Sequence, residues 1–81
     1  MNDEVQITVE FPNRLCEDIS VSSEIRLEQL IDQLRDIYGL NEAPYTVLVL
    51  TKDMVLRSNQ TLADLKITTG DILKVMEGPN E

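Results

Sequence analysis

The stretch YTVLVLT, residues 45–51, contains four consecutive apolar residues. A strand with one solvated face normally alternates apolar and polar residues, so this run predicts a strand with apolar side chains on both faces. Because side chains alternate along a strand, Val47 and Val49 share one face, and Leu48 and Leu50 share the other. We expect Val47 and Val49 in the core, which leaves open what covers the second face.

Two alternating segments upstream of this stretch predict an N-terminal β-hairpin, with a turn at residues 12–13 between them. Their apolar members are Val5, Ile7, Val9 and Phe11 in the first segment, and Ile19 and Val21 in the second. The polar residues between them would face solvent.

From about residue 25 the apolar spacing changes to three and four, which predicts one amphipathic helix. Its apolar stripe consists of Leu27, Leu30, Ile31, Leu34 and either Ile37 or Tyr38. Ser22 and Ser23 are candidate N-caps, so the helix is expected to begin between Ser23 and Arg26. Gly39 is expected to end it in the left-handed conformation.

Downstream of the stretch, a tight turn at Lys52 and Asp53 leads into a short strand at residues 54–56. The segment TLADLKI, residues 61–67, predicts one compact turn packed on the core. Residues 72–76 form the last predicted strand, and residues 78–81 are expected to be a frayed tail. The predicted order is β-β-α-β-β-β.

One helix of this length can cover only one face of a small mixed sheet, which makes the predicted fold an α+β β-grasp. A chain of 81 residues is large enough for one core and too small for two. We therefore expect a single domain over residues 1–81, with an ordered core over about residues 4–77.

The sheet face that the helix leaves open is the main candidate for binding. If Leu73 and Val75 lie in the core, alternation sends their neighbours to the face that carries Leu48 and Leu50. The candidate partner-binding residues are thus Leu48, Leu50, Ile72, Lys74 and Met76, flanked also by Lys52. Alternatively, these side chains cover one another, or they form a weak homodimer interface.

Composition argues against several other classes of function. Seven basic and fifteen acidic residues give a net charge of −8, which disfavours nucleic acids and anionic membranes. The chain contains no histidine, and its single cysteine, Cys16, is followed by Glu17 and Asp18, which disfavour a thiolate. We expect no enzyme activity, no cofactor, no metal site and no membrane insertion. One cysteine and the lack of an apolar leader favour the cytoplasm.

Four carboxylates recur every four residues and predict an acidic ridge along one edge of the helix. They are Glu24, Glu28, Asp32 and Asp36. The ridge is either an ordinary solvated face or a secondary contact for a basic partner.

The segment VLVLTKDMVLRSNQTLADLKITTGDILKVM, residues 47–76, resembles ubiquitin, most specifically in Thr61-Leu62-Ala63-Asp64-Leu65-Lys66-Ile67. The chain is similar over nearly its whole length to the bacterial ubiquitin-fold proteins of the YukD/EsaB type. The matching features are VQITVEF at residues 5–11, the strand end V-x-T-K and the closing GDILK. This resemblance implies a ubiquitin-like β-grasp and maps Leu50 and Met76 onto ubiquitin's recognition patch.

The resemblance also implies a function: a non-conjugating accessory or regulatory component of a type VII secretion system. The partners that it implies are cytoplasmic domains of the system's membrane proteins, including its ATPase. Conjugation and sulfur-carrier relatives of ubiquitin end in Gly-Gly, whereas Gly78 here is followed by Pro79. A modifier or sulfur carrier exposed by C-terminal processing remains the alternative.

Overall fold

The strands and the helix follow one another in the predicted order over residues 3–42, 44–57 and 59–78, the part of the chain that the computed structural model describes. The elements are β1 (Glu4–Glu10), β2 (Cys16–Ser22), α1 (Leu27–Tyr38), β3 (Tyr45–Val49), β4 (Met54–Leu56), the 3-10 helix η1 (Ala63–Leu65) and β5 (Ile72–Glu77). The order β-β-α-β-β-β is confirmed. Residues 79–81 of the predicted tail lie outside the described residues.

The strands form one mixed sheet in the order β2-β1-β5-β3-β4. The β1–β2 and β3–β4 pairs are antiparallel hairpins, and β5 joins them by pairing parallel with β1 and antiparallel with β3. The register places Val9 beside Leu73 and Val47 beside Val75. Alternation along each strand therefore puts these four side chains on one face, under the helix.

The core confirms how residues 45–51 divide between two faces, because Val47 and Val49 are both 0% exposed. The helix contributes Leu27, Leu30, Ile31 and Leu34, all buried. Of the two alternatives for the last position of its stripe, Ile37 is 66% exposed, whereas Tyr38 is 37% exposed and packs its ring on the core residue Phe11. The centroids of those two rings lie 4.9 Å apart.

The helix begins at Leu27, and the residue that caps it was not predicted. Arg26 is the N-cap, and its N–H donates to Gln29 Oε1 at 3.0 Å, while its backbone bridges to Thr61. Neither of the candidate caps, Ser22 and Ser23, is the N-cap, and the Ser22 hydroxyl instead accepts from the N–H of Glu24. Glu24 consequently precedes the helix and does not continue its acidic ridge.

Gly39 ends the helix as predicted, with φ of 72° and ψ of 36°. A side chain has room there, since no atom lies within 4 Å of an added Cβ, but the left-handed backbone is strained for alanine. We expect Gly39→Ala to lower the free energy of unfolding by about 1 kcal/mol. Gly39→Asn should lose less, because asparagine tolerates this conformation better. Urea titration of both variants tests this, and equal stability of Gly39→Ala and wild type would contradict it.

The TLADLKI segment forms the compact turn that the sequence predicts. Thr61 and Asp64 bond reciprocally: the Thr61 N–H donates to Asp64 Oδ2 at 2.9 Å, and the Asp64 N–H donates to Thr61 Oγ1 at 3.1 Å. This arrangement resembles a capping box and fixes the start of η1. It also holds Leu62 in the core at 0% exposure.

Candidate functional site

The open face of the sheet brings the predicted contact residues together. Leu48 on β3 pairs with Lys74 on β5, and Thr46 pairs with Met76. Leu50 follows the end of β3 and donates its N–H to the carbonyl of Ile72 at 2.8 Å. We call Leu48, Leu50, Val55, Ile72 and Met76 the open-face patch, with Lys74 in its midst.

Each member of the patch is accessible to some degree. Leu50 is 43% exposed, and the other four side chains and Lys74 are half-buried. The patch is therefore neither fully buried against the core nor fully exposed. Such partly covered apolar side chains on adjacent strands can complete their burial against a second surface. Whether they do so stays a prediction.

Val55, the fifth apolar member of the patch, was not predicted from the sequence. Val55 lies directly opposite Leu48 in the β3–β4 ladder, while the next residue, Leu56, is fully buried opposite Val47. Alternation along β4 therefore places Val55 on the open face. The signal was present in Met54-Val55-Leu56, because burial of Leu56 fixes the face of its neighbour.

Lys52, which was predicted to flank the patch, is engaged in an ion pair at the end of the patch. Its Nζ lies 3.6 Å from Asp71 Oδ2, within an ion pair that is largely shielded from solvent. Lys74, by contrast, sits between Leu48 on β3 and Glu10 on β1. The positive charge within the patch is that of Lys74.

Asp71 ties the turn after β3 to the start of β5. Its Oδ1 accepts from Thr51 Oγ1 at 2.6 Å, and its Oδ2 accepts from the Thr68 N–H at 2.8 Å. Burial raises the pKa of Asp71, but these hydrogen bonds and the Lys52 charge together outweigh it and lower the pKa below the ordinary value. Because Leu50 and Ile72 adjoin Thr51 and Asp71, this network positions one end of the patch.

Polar residues cover the other half of the open face. On β1 and β2 they form four directly opposed pairs: Glu4 with Ser22, Gln6 with Ser20, Thr8 with Asp18 and Glu10 with Cys16. The Thr8 hydroxyl donates to Asp18 Oδ1 at 2.7 Å. The apolar patch is therefore confined to β5, β3 and β4 and ends at a polar border, a distribution common in protein interfaces.

The helix carries three exposed carboxylates of the predicted ridge, Glu28, Asp32 and Asp36. Asp32 pairs with Arg35 at 3.2 Å, while Glu24 lies before the helix. Among the residues that the structure describes, no three His, Cys, Asp or Glu side chains converge to hold a metal ion. In the same part of the chain, no helix has the length and apolarity needed to span a membrane.

Two solved structures share this fold closely. A protein designed de novo on the basis of ubiquitin superposes with a TM-score of 0.81 at 17% identity, covering 100% of this chain and 96% of its own. The C-terminal ubiquitin-like domain of human 2'-5'-oligoadenylate synthetase-like protein gives a TM-score of 0.78 at 17% identity, covering 100% and 91%. At such identities the likeness shows the ubiquitin-like β-grasp and nothing further.

A comparison with curated proteins finds no match. The family model described as "WXG100 protein secretion system (Wss), protein YukD" matches residues 4–75. This match extends from the first residue of β1 to Val75 in β5 and so covers nearly all of the described fold. The chain belongs to the YukD family of WXG100, or type VII, secretion system proteins.

Proposed function

We propose that this chain is a non-conjugating ubiquitin-like interaction module that serves a type VII secretion system as a cytoplasmic accessory or regulatory component. It docks without a covalent bond, through the open-face patch, onto cytoplasmic domains of the system's membrane proteins. Family membership supports the setting. The observation that carries the mode of action is the apolar patch on the one sheet face that the helix does not cover.

The patch has the composition expected of the centre of a docking surface. Its side chains stand on hydrogen-bonded strands, so little conformational freedom is lost when a partner covers them. Leu50 and Met76 supply apolar surface at its two ends, and Lys74 between them selects a partner with an acidic or hydrogen-bond-accepting group. The polar side chains of β1 and β2 beside the patch limit the contact to one half of the open sheet face.

The acidic helix face is proposed as a secondary contact. Glu28, Asp32 and Asp36 are exposed there. Together with the net charge of −8, they favour approach to a basic surface on the partner. Such rim charges change the association rate and its salt dependence more than the final affinity.

The test compares charged substitutions inside and outside the patch. Leu50→Glu and Met76→Glu are expected to abolish co-purification with the secretion system's membrane proteins from native cells, because each places a carboxylate in an apolar contact. Two matched variants control for the chemical change: Ile37→Glu at a 66% exposed position of α1, and Met54→Glu, which shares its side of β4 with core-facing Leu56. Both controls should co-purify normally.

Far-UV circular dichroism of all four variants separates lost docking from lost folding. If Leu50→Glu and Met76→Glu fold and still co-purify, the patch is not the docking surface. Sedimentation velocity over a range of concentrations distinguishes a homodimer, since a dimer that Leu50→Glu abolishes would replace the proposed foreign partner by a second copy. Intact mass after incubation with cell extract tests for a modifier, which would be trimmed and then form an adduct.

A further inference from the structure

A second candidate surface lies at a cavity of about 250 Å³ between the β1–β2 turn, the end of α1 and the loop that leads to β3. Its lining includes all three aromatic residues of the chain, Phe11, Tyr38 and Tyr45. Leu15 and Leu40 complete the apolar wall, and Leu15 is 61% exposed at the rim. None of the open-face patch residues lines this cavity.

The walls of the cavity are fixed by hydrogen bonds. The Asn41 carbonyl accepts from Tyr45 Oη at 3.1 Å and from Arg35 Nε at 3.1 Å, which holds the loop after the helix. In the β1–β2 turn, the Phe11 N–H donates to the Leu15 carbonyl at 2.8 Å. A ligand would therefore enter a preformed site and lose little affinity to ordering its walls.

The lining of the cavity and the groove on its helix side are acidic, whereas Arg14 and Lys74 line a groove on its other side. Glu17 and Glu77 line the cavity, and the adjoining helix-side groove that shares Leu40 is lined by Asp32, Asp36 and Glu42. Arg35 is the only cation among the residues that line these two sites, and it is already paired with Asp32. The C-terminal end of the helix adds the negative end of its dipole.

We propose that this cavity binds a segment of a partner protein in which one large apolar or aromatic side chain is flanked by lysines and arginines. The anchor side chain fills the cavity beside the packed rings of Phe11 and Tyr38. The flanking cations lie against Glu17, Glu77 and Asp36. The cavity is smaller than the ~300–1,000 Å³ typical of small-molecule sites, so it fits a single side chain better. A second copy of this chain fits poorly, because both would carry a charge of −8.

The absence of tryptophan from this chain provides a selective probe. The probe is a short peptide with one central tryptophan between lysines and arginines, labelled with a dye at one end. We expect saturable binding by fluorescence anisotropy and a blue shift of the peptide's tryptophan emission as the indole enters the cavity. Leu15→Ser should weaken binding by at least about tenfold, the effect of losing one apolar contact. Leu50→Ser, the matched change in the open-face patch, should leave it within about twofold.

The charge contribution is tested separately. Glu17→Gln combined with Glu77→Gln should weaken binding by about two- to tenfold at low salt, and by less at high salt. Asp3→Asn combined with Asp53→Asn removes the same charge from two exposed positions that do not line the cavity, and should have a smaller effect. Equal effects of the two double substitutions would overturn the proposed role of Glu17 and Glu77.

Three results would overturn the proposal of an anchored basic segment. One is an unshifted tryptophan emission at saturating protein. Another is equally tight binding of a peptide with alanine in place of tryptophan, which would leave only charge attraction. The third is a loss with Leu50→Ser as large as the loss with Leu15→Ser, which would move the peptide to the open-face patch. The proposal does not depend on the docking role of that patch, and each surface can fail independently.

Discussion

Leu62→Ala is expected to lower the free energy of unfolding by about 3 kcal/mol, a typical loss for a leucine truncated in a close-packed core. Leu62 is 0% exposed and lies in the turn that the TLADLKI segment forms. Its backbone carbonyl accepts from Leu65 N–H at 3.1 Å and Ile67 N–H at 3.0 Å. The substitution leaves these backbone hydrogen bonds in place, so the loss of stability measures the contribution of side-chain packing. A small domain with total stability of about 5–15 kcal/mol would lose a large share of it.

Urea unfolding followed by circular dichroism measures this difference, with the midpoint shifting at nearly constant slope. Leu15→Ala is the matched control, because the same atoms are removed from a side chain that is 61% exposed. We expect that control to stay within about 0.5 kcal/mol of wild type. Equal effects of the two substitutions would mean that the TLADLKI turn is not anchored by its buried leucine.

The fold could be predicted because its main signals lie within single elements. These signals are the two-residue period of β1, the three-to-four-residue period of α1 and the apolar run in β3. Each pattern indicates which side chains of its own element are buried. Val47 and Val49 lie in the core for this reason, and Leu48 lies on the other face. One helix over a sheet then leaves that face uncovered, whatever the details of the loops.

Apart from Val55, the features that were missed join distant parts of the chain. Arg26 caps the helix because its backbone bridges to Thr61 and its N–H donates to Gln29, whereas local capping preferences favoured serine. The Asp71 ion pair with Lys52 likewise depends on the packing of a turn against β5. The hydrophobic periodicity of a single helix or strand does not predict such contacts.

The aromatic cavity was missed for a related reason. Its lining comes from the β1–β2 turn, the end of α1 and the start of β3. A sequence signal did exist, since a chain with three aromatic residues places all of them there, and Leu15 stands apolar within an exposed turn. Recognising it required the three-dimensional juxtaposition of segments that are far apart in sequence.

Asp71→Asn is expected to lower the free energy of unfolding by about 2 kcal/mol at neutral pH. The Asp71 carboxylate is shielded from solvent and accepts from Thr51 Oγ1 and the Thr68 N–H beside the Lys52 ammonium. An amide retains only one acceptor oxygen and directs N–H groups toward these donors. Because Asp71 ties Thr51 to the start of β5, loosening it should also weaken docking through Leu50.

The same substitution predicts how stability depends on pH. The pKa of Asp71 in the folded chain lies below its ordinary value of 3.8, because the hydrogen bonds and Lys52 outweigh burial. Its stabilising contribution is thus fully present above pH 3.8 and is lost as the pH falls through the folded-state pKa. The stability gap between wild type and Asp71→Asn should be constant near neutrality and narrow in acid. Asp53→Asn, an exposed change in the turn that carries Thr51 and Lys52, at φ of 53°, should show little difference at any pH. If the difference in stability between wild type and Asp71→Asn is unchanged in strong acid, the negative charge of Asp71 does not hold the turn after β3 to β5. The shape of the side chain would then do so.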